Sequence, residues 1–305
     1  MKLDRTMSNS EYHGLEGFYS SSQVKTMLED PELFYRKYIT KEMERETTGA
    51  MDVGTYFHTA ILEPTKLDEE CAVAPCKVRR GKEWDSFLAA NSSRCVITQG
   101  ELESAENLIK AVKGSRIANE LISNGEAEVS GFVEIVCFGE DIYSNGKILT
   151  PFGWKATSAE LFATAVMKGI KLGLKVRADL INLKDFYILD LKSTTGNAKD
   201  ERGMRQKVSS FVYDLSAAMY LDIFSLITGN KYEHFYWTFA SKDIGNCKTY
   251  LADKENIQIG RAKWKKAVLS IAFYTKNNWK FEDELGLLLP NFYEKEWLKQ
   301  EETIL

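Results

Sequence analysis

Two apolar runs within residues 175–194, KVRADLINLKDFYILDLKST, each carry an acidic residue where a packed strand ordinarily has none. Their leucine, β-branched and aromatic content reads as strand, and Lys184-Asp185 between them reads as a tight turn. An antiparallel pair closed by that turn sets Asn182 against Tyr187, and therefore Asp179 against Asp190. Directly opposed residues have Cβ atoms about 4.5–5.5 Å apart, so two carboxylates there repel unless a cation sits between them. Lys192 falls on the same face as Asp190 by the period of two, while Leu189 and Leu191 point into a core. Most D-x-K triplets are a single ion pair on a solvated sheet face. What sets this one apart is the apolar character of the strands that carry it.

Oxygen donors so arranged suit a hard divalent cation, Mg²⁺ with Mn²⁺ able to substitute: Asp179, Asp190, the Leu191 backbone carbonyl and water. The chemistry that follows is phosphodiester hydrolysis, in which bound water of lowered pKa attacks phosphorus and Lys192 orients the water or offsets charge on the phosphate. The next segment, STTGNAKDERGMRQK, brings hydroxyls together with Arg202 and Arg205, groups that hold DNA phosphates. A second basic run, KVRRGKEWDSF, places Arg79, Arg80 and Lys82 beside Trp84. Arginines bind phosphate bidentately and an indole stacks on a base, so this run is expected at a DNA end.

The remaining sequence sets the frame. Its 305 residues, 44% hydrophobic with 5 prolines, bury a substantial core as one large domain or a domain with an elaboration. A formal charge of −4 means that any DNA surface comes from local clustering of the 40 lysines and arginines. No run approaches the roughly 18 apolar residues of a membrane span, and the charged N-terminus lacks a signal-peptide core, so a cytoplasmic protein without a membrane partner is expected. Five scattered cysteines without a CxxC pair fit reduced thiols and speak against a cysteine-ligated zinc or iron–sulfur site.

Helical spacing marks SSSQVKTMLEDPELFYRKYI, TTGAMDVGTYFHTAILEP and residues 97–125. EAEVSGFVEIVCF, HFYWTFASKD and CKTYLAD read as strands, VSSFVYDLSAAMYLDIFSLITGN as one long helix, and a C-terminal helix carries Trp264, Val268, Ile271 and Phe273. Residues 139–173 read as an inserted helix-and-loop excursion. The expected fold is α/β, a central mixed β-sheet flanked by helices with an N-terminal helical layer. Residues 1–125 form that layer with the basic segment, and 126–305 form the core with its C-terminal helix, packed together as one structural domain.

GAMDVGTYFHTAILEP, KVRRGKEWDSF, NGEAEVSGF, KVRADLI, YILDLKSTTGNA and YDLSAAMY, in that order, resemble the PD-(D/E)xK nuclease superfamily with its restriction-endonuclease-like core. Within it they resemble the exodeoxyribonuclease VIII (RecE-type) branch of phages and prophages, over roughly residues 15–245. The resemblance implies a Mg²⁺-dependent exonuclease acting 5′-to-3′ on double-stranded DNA ends, leaving 3′ single strands for a strand-annealing partner protein, and a ring-like homo-oligomer. Matched residue by residue, it assigns Asp190 and Lys192 to the D-x-K strand, Asp179 to the preceding strand, Glu128 to the acidic position before the VS strand, and His58 to the helical histidine. These five are the implied catalytic residues; all but Lys192 are implied metal ligands, with Leu191. Relatives usually carry Gln where Ser216 stands, with Tyr220 four residues on, so both are expected on one helix face against DNA. Ser216 is too short to span the gap that Gln would. The alternatives are a Cas4- or AddB-like single-strand nuclease, whose usual four iron–sulfur cysteines have no counterpart here, and a DNA-binding protein of the same fold without catalysis. Retention of Asp179, Asp190 and Lys192 together speaks against the second.

Overall fold

The computed structural model describes residues 1–43 and 48–281, so residues 282–305, the end of the expected 126–305 unit, lie outside the described residues. In chain order the strands are β1 (Lys2–Asp4), β2 (Phe18–Ser20), β3 (Cys71–Ala74), β4 (Cys95–Thr98), β5 (Glu126–Phe138), β6 (Asp141–Ser144), β7 (Lys147–Thr150), β8 (Gly153–Ala156), β9 (Ile170–Asn182), β10 (Tyr187–Thr194), β11 (His234–Ser241) and β12 (Cys247–Leu251). Ten of them form one mixed sheet in the order β12-β11-β10-β9-β5-β6-β7-β8, with β1 on β5 and β2 on β9. β3 and β4 make a separate parallel pair.

The N-terminal helical layer also supplies two short strands, β1 and β2, which pair with the two longest strands of the sheet. One expectation is corrected here. Residues 139–173 are not a helix-and-loop excursion: β6, β7 and β8 form a meander that widens the sheet, followed by the helix Ala159–Lys168. The β6–β7 turn is Asn145-Gly146, with φ of +48° and +71°, a pair whose tolerance of the left-handed region closes a two-residue hairpin.

Six of the flanking helices position the site: α1 (Ser21–Glu29), α2 (Gly49–Leu62), α3 (Gln99–Lys113), α4 (Glu201–Ser210), α5 (Tyr213–Thr228) and α6 (Lys254–Lys276). Side-chain caps start four of them, α6 through Asp253, which accepts from the Asn256 N–H at 2.7 Å. Ser20 with Gln23 and Thr98 with Glu101 form capping boxes, and Thr48 caps α2. The sheet separates two apolar layers. On one face Val24, Met27, Ile188, Leu215, Phe224 and Trp264 pack together, bringing α1, α5 and α6 onto the strands. On the other, Phe57, Leu108, Leu180, Leu189 and Leu191 join α2 and α3 to the sheet. A Cβ added at Gly260 would lie 2.0 Å from the Asp214 carbonyl oxygen, so α5 and α6 touch backbone to backbone. The same interface buries Asp222, whose carboxylate is held by Arg261 at 2.7 and 2.8 Å and by the Trp264 indole at 3.0 Å. A buried charge is tolerated only when satisfied in this way.

The expected single helix over 208–226 is two. α4 and α5 meet at 73°, and the break falls at Val212, whose φ of +50° is a left-handed conformation that a β-branched residue rarely adopts. Among the described residues no single helix is long and apolar enough to cross a membrane.

Candidate metal centre

The β9–β10 hairpin has the register read from the sequence, Asn182 against Tyr187, but its ladder stops at Leu180–Leu189. Beyond that point the two strands part. Alternation along β9 also slips: Leu174, Val176, Ala178 and Ile181 belong to one core layer and Leu180 to the other. Opposite the slip, Glu128 takes φ of +53°, and the β5–β9 ladder skips the pair Glu128–Asp179. Asp179 therefore sits in the fork between β9 and β10. Its Oδ2 accepts a 2.8 Å hydrogen bond from the Leu191 N–H, in place of a strand carbonyl.

Two layers converge on this fork. From α2, His58 brings Nδ1 to 3.4 Å from Asp179 Oδ2 and also hydrogen-bonds the Leu191 carbonyl. Ligand-type atoms of His58, Glu128 and Asp179 all lie within 4.8 Å of one another. Arg177 holds Glu128 through a 2.5 Å ion pair. The His58 and Asp179 side chains keep 26% and 16% of their exposure, enough for solvent to reach them. On the opposite side of the fork, the Tyr220 hydroxyl of α5 lies 3.5 Å from Ser21 Oγ of α1.

The electrostatics follow from burial of like charges. Burial, then the Asp190 carboxylate, push Asp179 up to about 7. Glu128 is raised by burial and then by Asp179, and burial and then Lys192 lower His58, keeping its imidazole neutral and able to ligate. Burial works against the Lys192 ammonium, but Asp190 and Asp179 outweigh it and hold its pKa above the ordinary lysine value. Burial first, then Asp190 and Asp179 against the Ser21 hydrogen bond, push Tyr220 up to about 12, so its hydroxyl stays protonated.

Of the residues expected at a metal, the structure thus gathers His58, Glu128, Asp179 and the Leu191 carbonyl. Asp190 stands beside them, with Oδ2 bonded to Lys192 Nζ at 2.6 Å. Ser216 is half-buried one turn before Tyr220. Two neighbours escaped the sequence reading. Lys25 of α1 is pressed down to about 8 by burial and then by the Lys192 charge. The Tyr213 ring carries Lys25 and Lys192, each with Nζ 5.1 Å from its centroid. Lys25 lies in no recognisable motif, and Tyr213, although it opens the YDLSAAMY segment, carries no local mark of this role; the three-dimensional packing of α1 against α5 reveals both.

The basic run is corrected in part. Arg79 is committed within the fold: Nη1 pairs with Asp52 at 2.6 Å, Nε with Glu101 at 2.8 Å, and Nη2 donates to the Val96 carbonyl at 3.0 Å. Trp84 is 6% exposed and packs under the Arg79 guanidinium, so it has no face to offer a base. Arg80 and Lys82 are exposed, as are Arg202 and Arg205 on α4, the latter paired with Glu201 at 2.8 Å. Arg79→Ala is expected to cost about 2 kcal/mol by leaving Asp52 and one oxygen of Glu101 without their cation, a drop of several degrees in thermal midpoint. Arg80→Ala should leave the midpoint within about 1 °C. Equal midpoints for the two variants in thermal denaturation would contradict this division.

Comparison with known proteins agrees with the fold. A family model described as a PDDEXK-like domain of unknown function (DUF3799) matches residues 20–140 and 158–279. The crystal structure of a candidate exonuclease from Eubacterium rectale is similar at 14% identity and a TM-score of 0.57, covering 95% of this chain and 97% of that one. At that identity the likeness is one of fold. SSO0001 aligns over 80% of this chain and 83% of its own at 14% identity, with a TM-score of 0.27. Rai1 of Scheffersomyces stipitis aligns over 90% and 75% at 10% identity, with a TM-score of 0.26. Neither of these two bears on the site. No curated protein matches the chain in sequence.

Proposed function

Because the chain belongs to the DUF3799 family of PDDEXK-like domains, we propose that it is a divalent-metal-dependent deoxyribonuclease that degrades linear double-stranded DNA from its ends. The observation that carries this reading is the convergence of His58, Glu128 and Asp179 within 4.8 Å, beside the Asp190–Lys192 pair. The donors fit a divalent cation of the Mg²⁺ or Mn²⁺ kind: two carboxylates, one neutral imidazole and one backbone carbonyl, with a carboxyl at about 7 that gains by sharing its charge. A cation held by His58, Glu128, Asp179 and Leu191 would supply charge neutralisation and a lowered water pKa.

The chain's own groups do the rest. Lys192, kept charged by Asp190, faces the fork and offsets negative charge that builds on the phosphate. Tyr220, protonated at neutral pH, donates a hydrogen bond toward a phosphate oxygen. Exposed Arg202 and Arg205 on α4 hold backbone phosphates nearby. Likeness to RecE-type sequences supports 5′-to-3′ polarity, a 3′ single strand passed to an annealing protein, and a ring-like homo-oligomer.

The test is to incubate the purified chain with end-labelled linear duplex, single strands and covalently closed circles, with Mg²⁺, Mn²⁺ or EDTA. Linear duplex should be shortened from its 5′ ends in either metal, circles should survive, and EDTA should stop the reaction. Cleavage of closed circles would make it an endonuclease, and preference for single strands would place it with the single-strand enzymes.

A further inference from the structure

The corner between α4 and α5 has features that packing alone does not require. Phe211 is 56% exposed, and it lies two residues from Tyr213, whose ring the site's lysine covers. Its ring is stacked on Tyr213, with centroids 5.5 Å apart and planes at 22°. The residue between them, Val212, is held at φ +50°, a strained geometry that places successive aromatic side chains on one stack at a 73° helix corner. Lys25 fixes the corner from α1: its Nζ donates to the Phe211 carbonyl at 3.1 Å while lying over the Tyr213 ring. Lys192 lies over the same ring at the same 5.1 Å. Tyr213 therefore joins the lysine of the metal centre to an exposed aromatic plane.

Resting on the nuclease reading, we propose that Phe211 is a base-stacking platform: it receives the nucleobase next to the phosphate held at Lys192, with Tyr213 behind it and Lys25 fixing the corner. The occupant is a nucleotide with its base unstacked from the duplex, because a planar π-face is matched by a base and the surrounding charge by phosphate. Lys25 and Lys192 lie on the inner side, and the exposed Arg202 and Arg205 line α4 leading up to the corner. The sugar–phosphate chain then runs along cations while one base leaves the stack onto the ring, the usual division of labour where proteins hold unpaired nucleic acid. This makes Phe211 a binding residue. Its stacking accepts any base, so it confers no sequence preference.

The test compares wild type, Phe211→Ala and Phe211→Tyr on short DNA ends, with binding measured in Ca²⁺ and hydrolysis in Mn²⁺. Each substrate is made with a normal base or an abasic analogue at every position from the terminus to the third nucleotide. Phe211→Ala should weaken binding and raise KM by about 5- to 100-fold with a much smaller change in kcat, and Phe211→Tyr should restore both. One abasic position should cost wild type a similar factor and cost Phe211→Ala little more, because the two changes remove one contact. Additive losses, or unchanged KM in Phe211→Ala with intact cleavage, would overturn the platform and leave the nuclease reading standing. An oligomer that dissociates in Phe211→Ala, with DNA affinity unchanged, would assign the ring to a contact with a second copy of this chain. A wild type that neither binds nor cleaves any of these DNAs would overturn both readings.

Discussion

Asp179→Asn is expected to lower DNA hydrolysis by at least about 10³-fold while making the metal-free protein more stable at alkaline pH. The loss of activity follows from removing a charged donor from the group it forms with His58 and Glu128. The gain has a separate cause. A carboxyl raised to about 7 in the fold binds its proton more tightly there than in the unfolded chain, where its pKa is near 4. Without divalent cation, this carboxyl's contribution to stability is therefore fullest at acid pH and declines as pH rises from about 4 to about 7, at roughly 1.4 kcal/mol per unit at most. The Asn variant lacks that decline and, through its amide oxygen, keeps the bond from the Leu191 N–H. Thermal denaturation in EDTA at pH 5 and pH 8 reads the difference: the wild-type midpoint should fall between the two values, and the variant's should fall less, by the share that burial of Glu128 still contributes. The cation competes with the same proton, so Mn²⁺ affinity of the wild type should increase through pH 7. A variant that hydrolyses DNA normally, or that loses stability with pH as wild type does, would remove Asp179 from this role.

Lys192→Ala is expected to slow single-turnover hydrolysis by about 10²–10³-fold with divalent-cation affinity unchanged or improved. The ammonium is bonded to Asp190 and not to the His58–Glu128–Asp179 group, so its loss frees a carboxylate oxygen without subtracting a donor. Truncation also removes a positive charge that opposes a cation in the fork. Mn²⁺ binding followed by spin resonance, alongside rapid-quench kinetics, separates the two effects. Parallel loss of binding and rate would mean that Lys192 shapes the cation site itself.

Much of this centre is legible along the chain because strands obey a period of two. Leu189 and Leu191 on one face and Asp190 and Lys192 on the other gave β10 its orientation, and the short turn gave the register that pairs Asn182 with Tyr187. What the period could not show is where it breaks. The slip at Asp179 depends on Glu128 adopting a left-handed conformation, and a glutamate carries no sequence mark for that. Val212 ends a helix without glycine or proline, so two helices read as one. The meander from β6 to β8 did leave a mark, the Asn145-Gly146 turn, outweighed by strands of only four residues each. Arg79 illustrates the opposite error. A cluster of positive charge looks like a phosphate site until distant carboxylates, here Asp52 and Glu101, are folded against it. Proximity of that kind is a property of packing and has no local pattern.

Leu191 has one more consequence. Its side chain is fully buried between sheet and helices, while its N–H binds Asp179 and its carbonyl binds His58. The part of this residue that serves the site is peptide, common to every amino acid but proline at the donor. An alanine scan would register position 191 only as lost packing and would classify it with the core. Isoleucine, valine or methionine there would keep the centre working so long as the strand stayed in place. Substitution surveys are therefore blind to one corner of this centre, and it is reached only by altering the backbone, through proline, an ester in place of the amide, or a one-residue shift of the strand.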